Sequence, residues 1–205
     1  KLIRDWFNNI NFTNFGNPIE NAFLSSLIPD GFADSKGVQA KVIDYFAAFD
    51  QSIIGFDVET IKSDDAVEHV KIDAIHRIIG SDNTASIPLQ DESDGTLKMF
   101  ALYPALQDTL DTGSVLFVDE LNARLHPLLV RSFIIMFLNP ETNPKHAQLV
   151  FTTHDAWQLS NSLLRRDEIW FTEKTLSGVS TLYSLADFVD EDGTKIRKDE
   201  SYEKN

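Results

Sequence analysis

A chain of 205 residues has room for one good-sized domain, or for a core domain with a smaller attachment. With 42% hydrophobic and 24% charged residues it belongs among folded rather than disordered sequences, and its lack of cysteine excludes disulfides and thiolate metal sites. A formal charge of -14 argues against this surface gripping a phosphate backbone by itself, and no apolar run approaches the roughly 18 to 20 residues of a membrane span, so a cytoplasmic protein is the expectation.

In chain order, Leu2, Ile3, Trp6, Phe7 and Ile10 run at helical spacing, as if the sequence opens inside or just before a helix. A polar, Asn-rich stretch and the turn signal Pro29-Asp30-Gly31 follow. Val38, Val42, Ile43, Tyr45, Phe46 and Phe49 then mark one face of a helix. Residues 52–59 and 67–79, with alternation at Val70, Ile72 and Ala74, read as strands of a small antiparallel layer, and residues 81–88 read as a polar connection. A helical pattern at Leu97, Phe100, Ala101, Leu106 and Leu110 contains Pro104, which cannot donate to the Phe100 carbonyl and predicts a bend.

The next segments alternate between the two periods. Val115-Leu116-Phe117-Val118 is short and wholly apolar, the mark of a central strand. Pro127 opens a helix that Asn139-Pro140 stops, and Gln148-Leu149-Val150-Phe151-Thr152 closes a βαβ unit. A further helix over 156–164 leads to a strand at 168–171 that turns back through Leu176-Ser177-Gly178 into residues 180–185, a hairpin at the sheet margin. The expected division is a lid-like region over 1–87, an α/β core over 88–188 and a charged tail over 189–205.

Each apolar strand of the βαβ unit ends abruptly in polar groups, which is how a parallel sheet delivers chemistry to its carboxyl edge. Asp119, Glu120 and His154 would meet there. Phosphoryl transfer to water needs a metal on the phosphate oxygens, a group that orients the water and a sensor of the terminal phosphate. Asp119 and Glu120 suit the first two tasks and His154 the third. Ser93-Asp94-Gly95-Thr96 at a helix start offers hydroxyls and unpaired backbone N–H groups to an anion, or is a plain N-cap. No Gly-x-x-x-x-Gly-Lys-Ser/Thr loop occurs in the sequence. His69, His76 and His146 have no partners at metal-ligand spacing. Arg124, Arg165 and Arg166 stand at loops and helix ends, where arginines usually only solvate.

Taken together, Ser93-Asp94-Gly95-Thr96, Val115-Leu116-Phe117-Val118-Asp119-Glu120-Leu121, Asn122-Ala123-Arg124-Leu125-His126-Pro127, Gln148-Leu149-Val150-Phe151-Thr152-Thr153-His154-Asp155 and Arg165-Arg166-Asp167-Glu168-Ile169-Trp170-Phe171 occur in the order seen in ABC-type ATPases. The resemblance covers residues 88–188 well and is strongest to the prokaryotic ATP-binding group related to RecF and SMC heads, found in abortive-infection, retron and other anti-phage loci. It implies a P-loop NTPase fold, with a partly parallel central sheet, flanking helices and a C-terminal hairpin. It also implies ATP and Mg²⁺ as cofactors. Ser93, Gly95 and Thr96 resemble the signature motif, Asp119 the Walker B metal ligand, Glu120 the general base, Asn122 the D-loop and His154 the switch histidine. Such heads work as head-to-tail homodimers closed on nucleotide, coupled to an effector or toxin, and the resemblance leaves nucleic acid open as a partner. The absent phosphate loop is expected to precede Lys1, which makes this chain a C-terminal part inactive by itself. Two rival readings are a metal-dependent nuclease built on Asp119, Glu120 and His154, and a non-hydrolysing module gated by ATP.

Overall fold

The run Val115-Leu116-Phe117-Val118 can satisfy its backbone only inside a sheet, and there it lies as strand β5 (Val115–Asp119), between two parallel neighbours. The computed structural model describes residues 2–8, 10–14, 28–62, 68–159 and 163–189, which fall into two compact units, 1–154 and 155–205.

The first unit opens with helix α1 (Leu2–Asn8), where helical spacing predicts one. Ile10 does not extend that helix but begins β1 (Ile10–Asn14), which runs parallel to β5 with Ile10 opposite Val115 and Asn14 opposite Asp119. The sequence conceals this strand because only Thr13 is buried, while Phe12 is exposed. Residues 15–27 lie outside the described residues. The Pro29-Asp30-Gly31 turn forms as expected, with Phe32 N donating to Pro29 O at 2.9 Å.

Helix α2 (Lys36–Phe46) starts at Ser35, whose hydroxyl caps Val38 N. Its Val42 and Phe46 turn inward on β2 (Ile53–Lys62) and on helix α3 (Asp94–Thr112). There Phe32, Phe46, Phe56 and Phe100 form a cluster with ring centroids 5.1–6.4 Å apart, at largely edge-on angles. The expected antiparallel layer is present as β2 and β3 (Glu68–Arg77), joined by β4 (Thr84–Pro88) in the order β2-β3-β4. Strand β4 lies where a polar connection was expected. Its Thr84, Ser86 and Pro88 gave no strand signal, and pairing with Asp73 to Arg77 supplies the missing constraint.

Helix α3 runs unbroken past Pro104 and ends at Gly113, in the left-handed conformation at φ 69°. A Cβ there would lie 2.7 Å from Lys145 O, so both the backbone and the neighbouring loop demand glycine. After β5, helix α4 (Pro127–Leu138) carries the chain back to β6 (Gln148–Phe151), parallel to β5 with Val115 opposite Gln148. The sheet order is β1-β5-β6. Leu116, Val118, Leu121, Val130, Phe133 and Ile134 fill the core around it.

In the second unit Ala156–Leu159 forms one 3₁₀ turn where a longer helix was predicted, with Asp155 Oδ1 accepting from Trp157 N. Residues 160–162 lie outside the described residues. The hairpin is present: β7 (Trp170–Lys174) pairs antiparallel with β8 (Ser180–Ser184). Phe171, Tyr183 and Phe188 share an aromatic contact, and Arg166 Nη2 donates to Leu185 O and Phe188 O at 2.6 and 2.7 Å. The charged tail beyond 189 lies outside the described residues. The α/β architecture expected from the sequence, a parallel sheet with flanking helices, is thus present among the described residues.

Candidate functional site

Strands β5 and β6 are direct neighbours in parallel register, so their last residues emerge at one rim. Thr152, the first residue after β6, fastens that rim. Its hydroxyl donates to Asp119 Oδ1 at 2.5 Å and accepts from Glu120 N at 2.9 Å, and Leu121 N donates to Thr152 O at 3.0 Å. Two residues further, His154 meets the turn that follows Glu120, with Asn122 Nδ2 3.0 Å from His154 Nε2. Asp119, Glu120, Asn122 and His154 are therefore brought to one edge. Asp119 is half-buried, while Glu120 and His154 are exposed to whatever approaches.

Glu120 sits at φ 53° and Arg124 at φ 58°, left-handed positions that cost a residue with a Cβ roughly 1–2 kcal/mol each. Between them the chain makes a tight turn, Ala123 N to Glu120 O at 2.9 Å and Leu125 N to Asn122 O at 3.1 Å. Non-glycine residues held this way gather at functional sites, where the surrounding structure over-determines them. Inside the turn, Asn122 Oδ1 is buried with no hydrogen-bond partner among the described residues.

The turn at residues 93–96 lies against the same segment. Ser93 caps α3, its Oγ accepting from Thr96 N at 3.1 Å and touching Thr96 Oγ1 at 2.9 Å. Arg124 Nη1 reaches Asp94 Oδ2 at 3.4 Å, an exposed pair worth little by itself. A Cβ on Gly95 would meet Leu129 Cδ1 at 3.5 Å and Arg124 O at 3.9 Å, both ordinary contacts. The chain itself therefore does not require glycine at 95. A cleft of about 310 Å³ opens beside Ser93, Gly95, Thr96 and His126; Asp119, Glu120 and His154 do not line it.

Three contributors escape motif reading. Thr152 precedes the conspicuous His154 by two residues, and its task shows only once β6 is set beside Asp119. Lys98 is 2% exposed and donates to Leu121 O at 3.0 Å and Ala123 O at 2.5 Å. Burial pushes its ammonium down to about 7, a shift that Glu120 opposes and Arg124 reinforces. A signal for it existed, since Lys98 falls on the same helical stripe as the buried Ala101, Leu102, Leu106 and Thr109. His76, unremarkable by spacing, joins Ser52 Oγ at 2.9 Å to Glu92 Oε1 at 2.6 Å, tying β3 to the residue before Ser93. Of the remaining basic residues, Arg165 pairs with Asp167 and Glu168, and His126 caps Leu128 N.

Among the described residues no group of three His, Asp or Glu side chains is placed to hold a metal. Mg²⁺ does not need one, because it keeps water and phosphate oxygens and takes one or two carboxylates from the protein. Asp119 Oδ1 is engaged by Thr152, and Oδ2 makes no hydrogen bond among the described residues, so the donor set fits Mg²⁺ held jointly with a phosphate substrate.

Residues 14–156, most of the chain and the whole of this rim, match the family described as "AAA domain, putative AbiEii toxin, Type IV TA system". The chain belongs to that family. No curated protein matches it. As an AAA domain it carries a nucleotide-binding, ATPase-type role in general terms, and the match ends just after His154, at residue 156. No helix of this AAA domain is long and apolar enough, among the described residues, to cross a membrane.

Proposed function

We propose that the intact protein hydrolyses ATP with Mg²⁺ and uses the reaction to close and reopen a dimer. The observation that carries this reading is the Thr152 bridge, which holds the Asp119 carboxylate and the Glu120 backbone in one unit beside Asn122 and His154. Mg²⁺, when bound, would neutralise phosphate oxygens as charge develops on them. Asp119, one of whose carboxylate oxygens is left open by the Thr152 bond, would hold it. Glu120, exposed at the rim and held at a left-handed φ, orients the attacking water and accepts its proton. His154, positioned by Asn122, donates to the terminal phosphate.

Ser93, Gly95 and Thr96 belong to the second half of the reaction. Together with the free N–H groups of the first turn of α3, they form an anion-binding end that closes on nucleotide held by a second copy, head to tail. A glycine at 95 that its own neighbours do not need is explained by close approach of such a ligand. The phosphates would rest on a glycine-rich loop that these 205 residues do not contain. The strand leading into it has a place beside β6, whose outer edge is unpaired among the described residues and where Val150 is 46% exposed. The conformational cycle would then gate an effector or toxin in phage defence, a step that rests on family likeness rather than on the site.

The test is ATP turnover by the purified full-length protein with Mg²⁺ and with EDTA, alongside a DNA-cleavage assay lacking ATP. Mg²⁺-dependent phosphate release that Asp119→Asn abolishes supports the reading. DNA cleavage without ATP, lost in the same variant, replaces it with a nuclease. Nucleotide-dependent dimerisation without turnover replaces it with a clamp.

A further inference from the structure

The 120–124 turn must hold two left-handed residues, Glu120 and Arg124, without a glycine, and its carbonyls need donors. The amine of Lys98 supplies them. It enters from α3, two residues after Thr96, and reaches Leu121 O at 3.0 Å and Ala123 O at 2.5 Å. A lysine is suited to this, because its point charge offers three rotatable donors on a flexible stem that can lie in an apolar layer. Its price is burial at 2% exposure, a cost that a merely solvated lysine would not bear. An apolar side chain would fill the same space with no such cost, so packing alone does not explain the choice.

The consequence lies in what the two ends of this link carry. At one end, residues 93–96 cap α3 and present its N-terminus. At the other, Leu121 follows Glu120 directly, and Ala123 N closes the turn on Glu120 O. A second cross-connection between the segments, Arg124 to Asp94, is long and exposed.

We propose that Lys98 is a positioning residue that couples the anion-binding end of α3 to the backbone carrying Glu120, so that engagement of nucleotide at residues 93–96 is transmitted to the hydrolytic carboxylate. This rests on the hydrolytic reading for its functional half. The structural half, that the Lys98 amine holds the turn, stands without it. When α3 shifts or rotates on binding phosphate, its amine carries the Leu121 and Ala123 carbonyls with it, and the Glu120 side chain is re-aimed without touching the ligand bound at Ser93. Sensing and chemistry are thereby linked through one side chain inside a single subunit.

The experiment is Lys98→Met in the full-length protein, with Lys98→Arg as the conservative control. Hydrogen exchange is measured without nucleotide, and ATP kinetics are measured with Mg²⁺. In Lys98→Met, amides of residues 121–124 should exchange at least tenfold faster, while those of residues 116–118 in β5 stay within twofold. Its kcat should fall at least tenfold with KM within twofold, and Lys98→Arg should recover most of the loss. Should Lys98→Met not fold, Lys98→Gln, which keeps a donor for one carbonyl, carries the same comparison. Unchanged exchange in the turn overturns the structural half. Wild-type kcat in a variant whose turn has loosened overturns the coupling, as does a fall in kcat matched by uniform acceleration of exchange through β5. A wild-type protein with no ATP turnover removes the hydrolytic reading instead, and the exchange comparison then judges Lys98 by itself.

Discussion

The Thr152 hydroxyl donates to Asp119 Oδ1 at 2.5 Å while it accepts from Glu120 N, so one side chain at the end of β6 fixes two consecutive residues at the end of β5. A hydrogen bond to a carboxylate is stronger than a neutral one, and here it occupies one of the two Asp119 oxygens. Thr152→Val removes donor and acceptor together while keeping the shape. Because the rim is open to solvent, the stability loss should be small, about 0.5–1.5 kcal/mol in urea unfolding. The Mg²⁺ concentration giving half-maximal ATP turnover should rise several-fold, and Thr152→Ser should restore it. An unaltered Mg²⁺ requirement in Thr152→Val would mean that Asp119 does not depend on this bond.

Gly95 separates stability from activity. A Cβ there makes only ordinary contacts, and glycine within a helix costs about 0.5–1 kcal/mol relative to alanine. Gly95→Ala should therefore unfold at equal or slightly higher denaturant while ATP turnover by the full-length protein falls at least tenfold. Full activity in the stabilised variant would show that no ligand comes close at this position.

Gly113 behaves in the opposite way. With φ 69° and Lys145 O only 2.7 Å from where a methyl group would sit, Gly113→Ala strains both the C-cap of α3 and the loop before β6. It should cost more than about 1 kcal/mol, read from the urea midpoint at unchanged slope. A midpoint equal to wild type would contradict the placement of that loop.

How far the sequence discloses this molecule depends on where its constraints act. Strand β5 was legible because burial on both faces forces a continuous apolar run, β6 because its Leu149-Val150-Phe151 repeats that pattern, and helix α4 because Pro127 and Asn139-Pro140 punctuate it. Strands β1 and β4 were not. Their side chains alternate between weakly buried and exposed, and only pairing with β5 and β3 makes them strands. At the site, Asp119, Glu120 and His154 announce themselves as polar groups ending apolar runs. Thr152 and Lys98 act through distant partners, which no local pattern specifies. Lys98 could still be suspected as a charge on a core stripe.

The buried amine also gives the fold a pH signature. Lys98 has a folded pKa of about 7 against the ordinary 10.5, so between these values the unfolded chain holds the extra proton. The cost of keeping the ammonium buried is complete below about 7 and disappears as pH rises toward 10.5. Stability should therefore increase from about pH 7 to about pH 9 in wild type relative to Lys98→Met, measured by urea unfolding at each pH. A falling difference over that interval would contradict the burial of this group as a titrating amine.

Hydrolysis at the rim shared by β5 and β6 turns on whether Glu120 activates water there. Glu120→Gln keeps the size of the side chain and its backbone bond to Thr152 but removes the proton acceptor. Single-turnover ATP hydrolysis by the full-length variant measures this most directly, with nucleotide binding followed in parallel. The predicted result is a hydrolysis rate reduced about 10²–10⁴-fold with ATP affinity retained. Hydrolysis at the wild-type rate with ATP bound would contradict it.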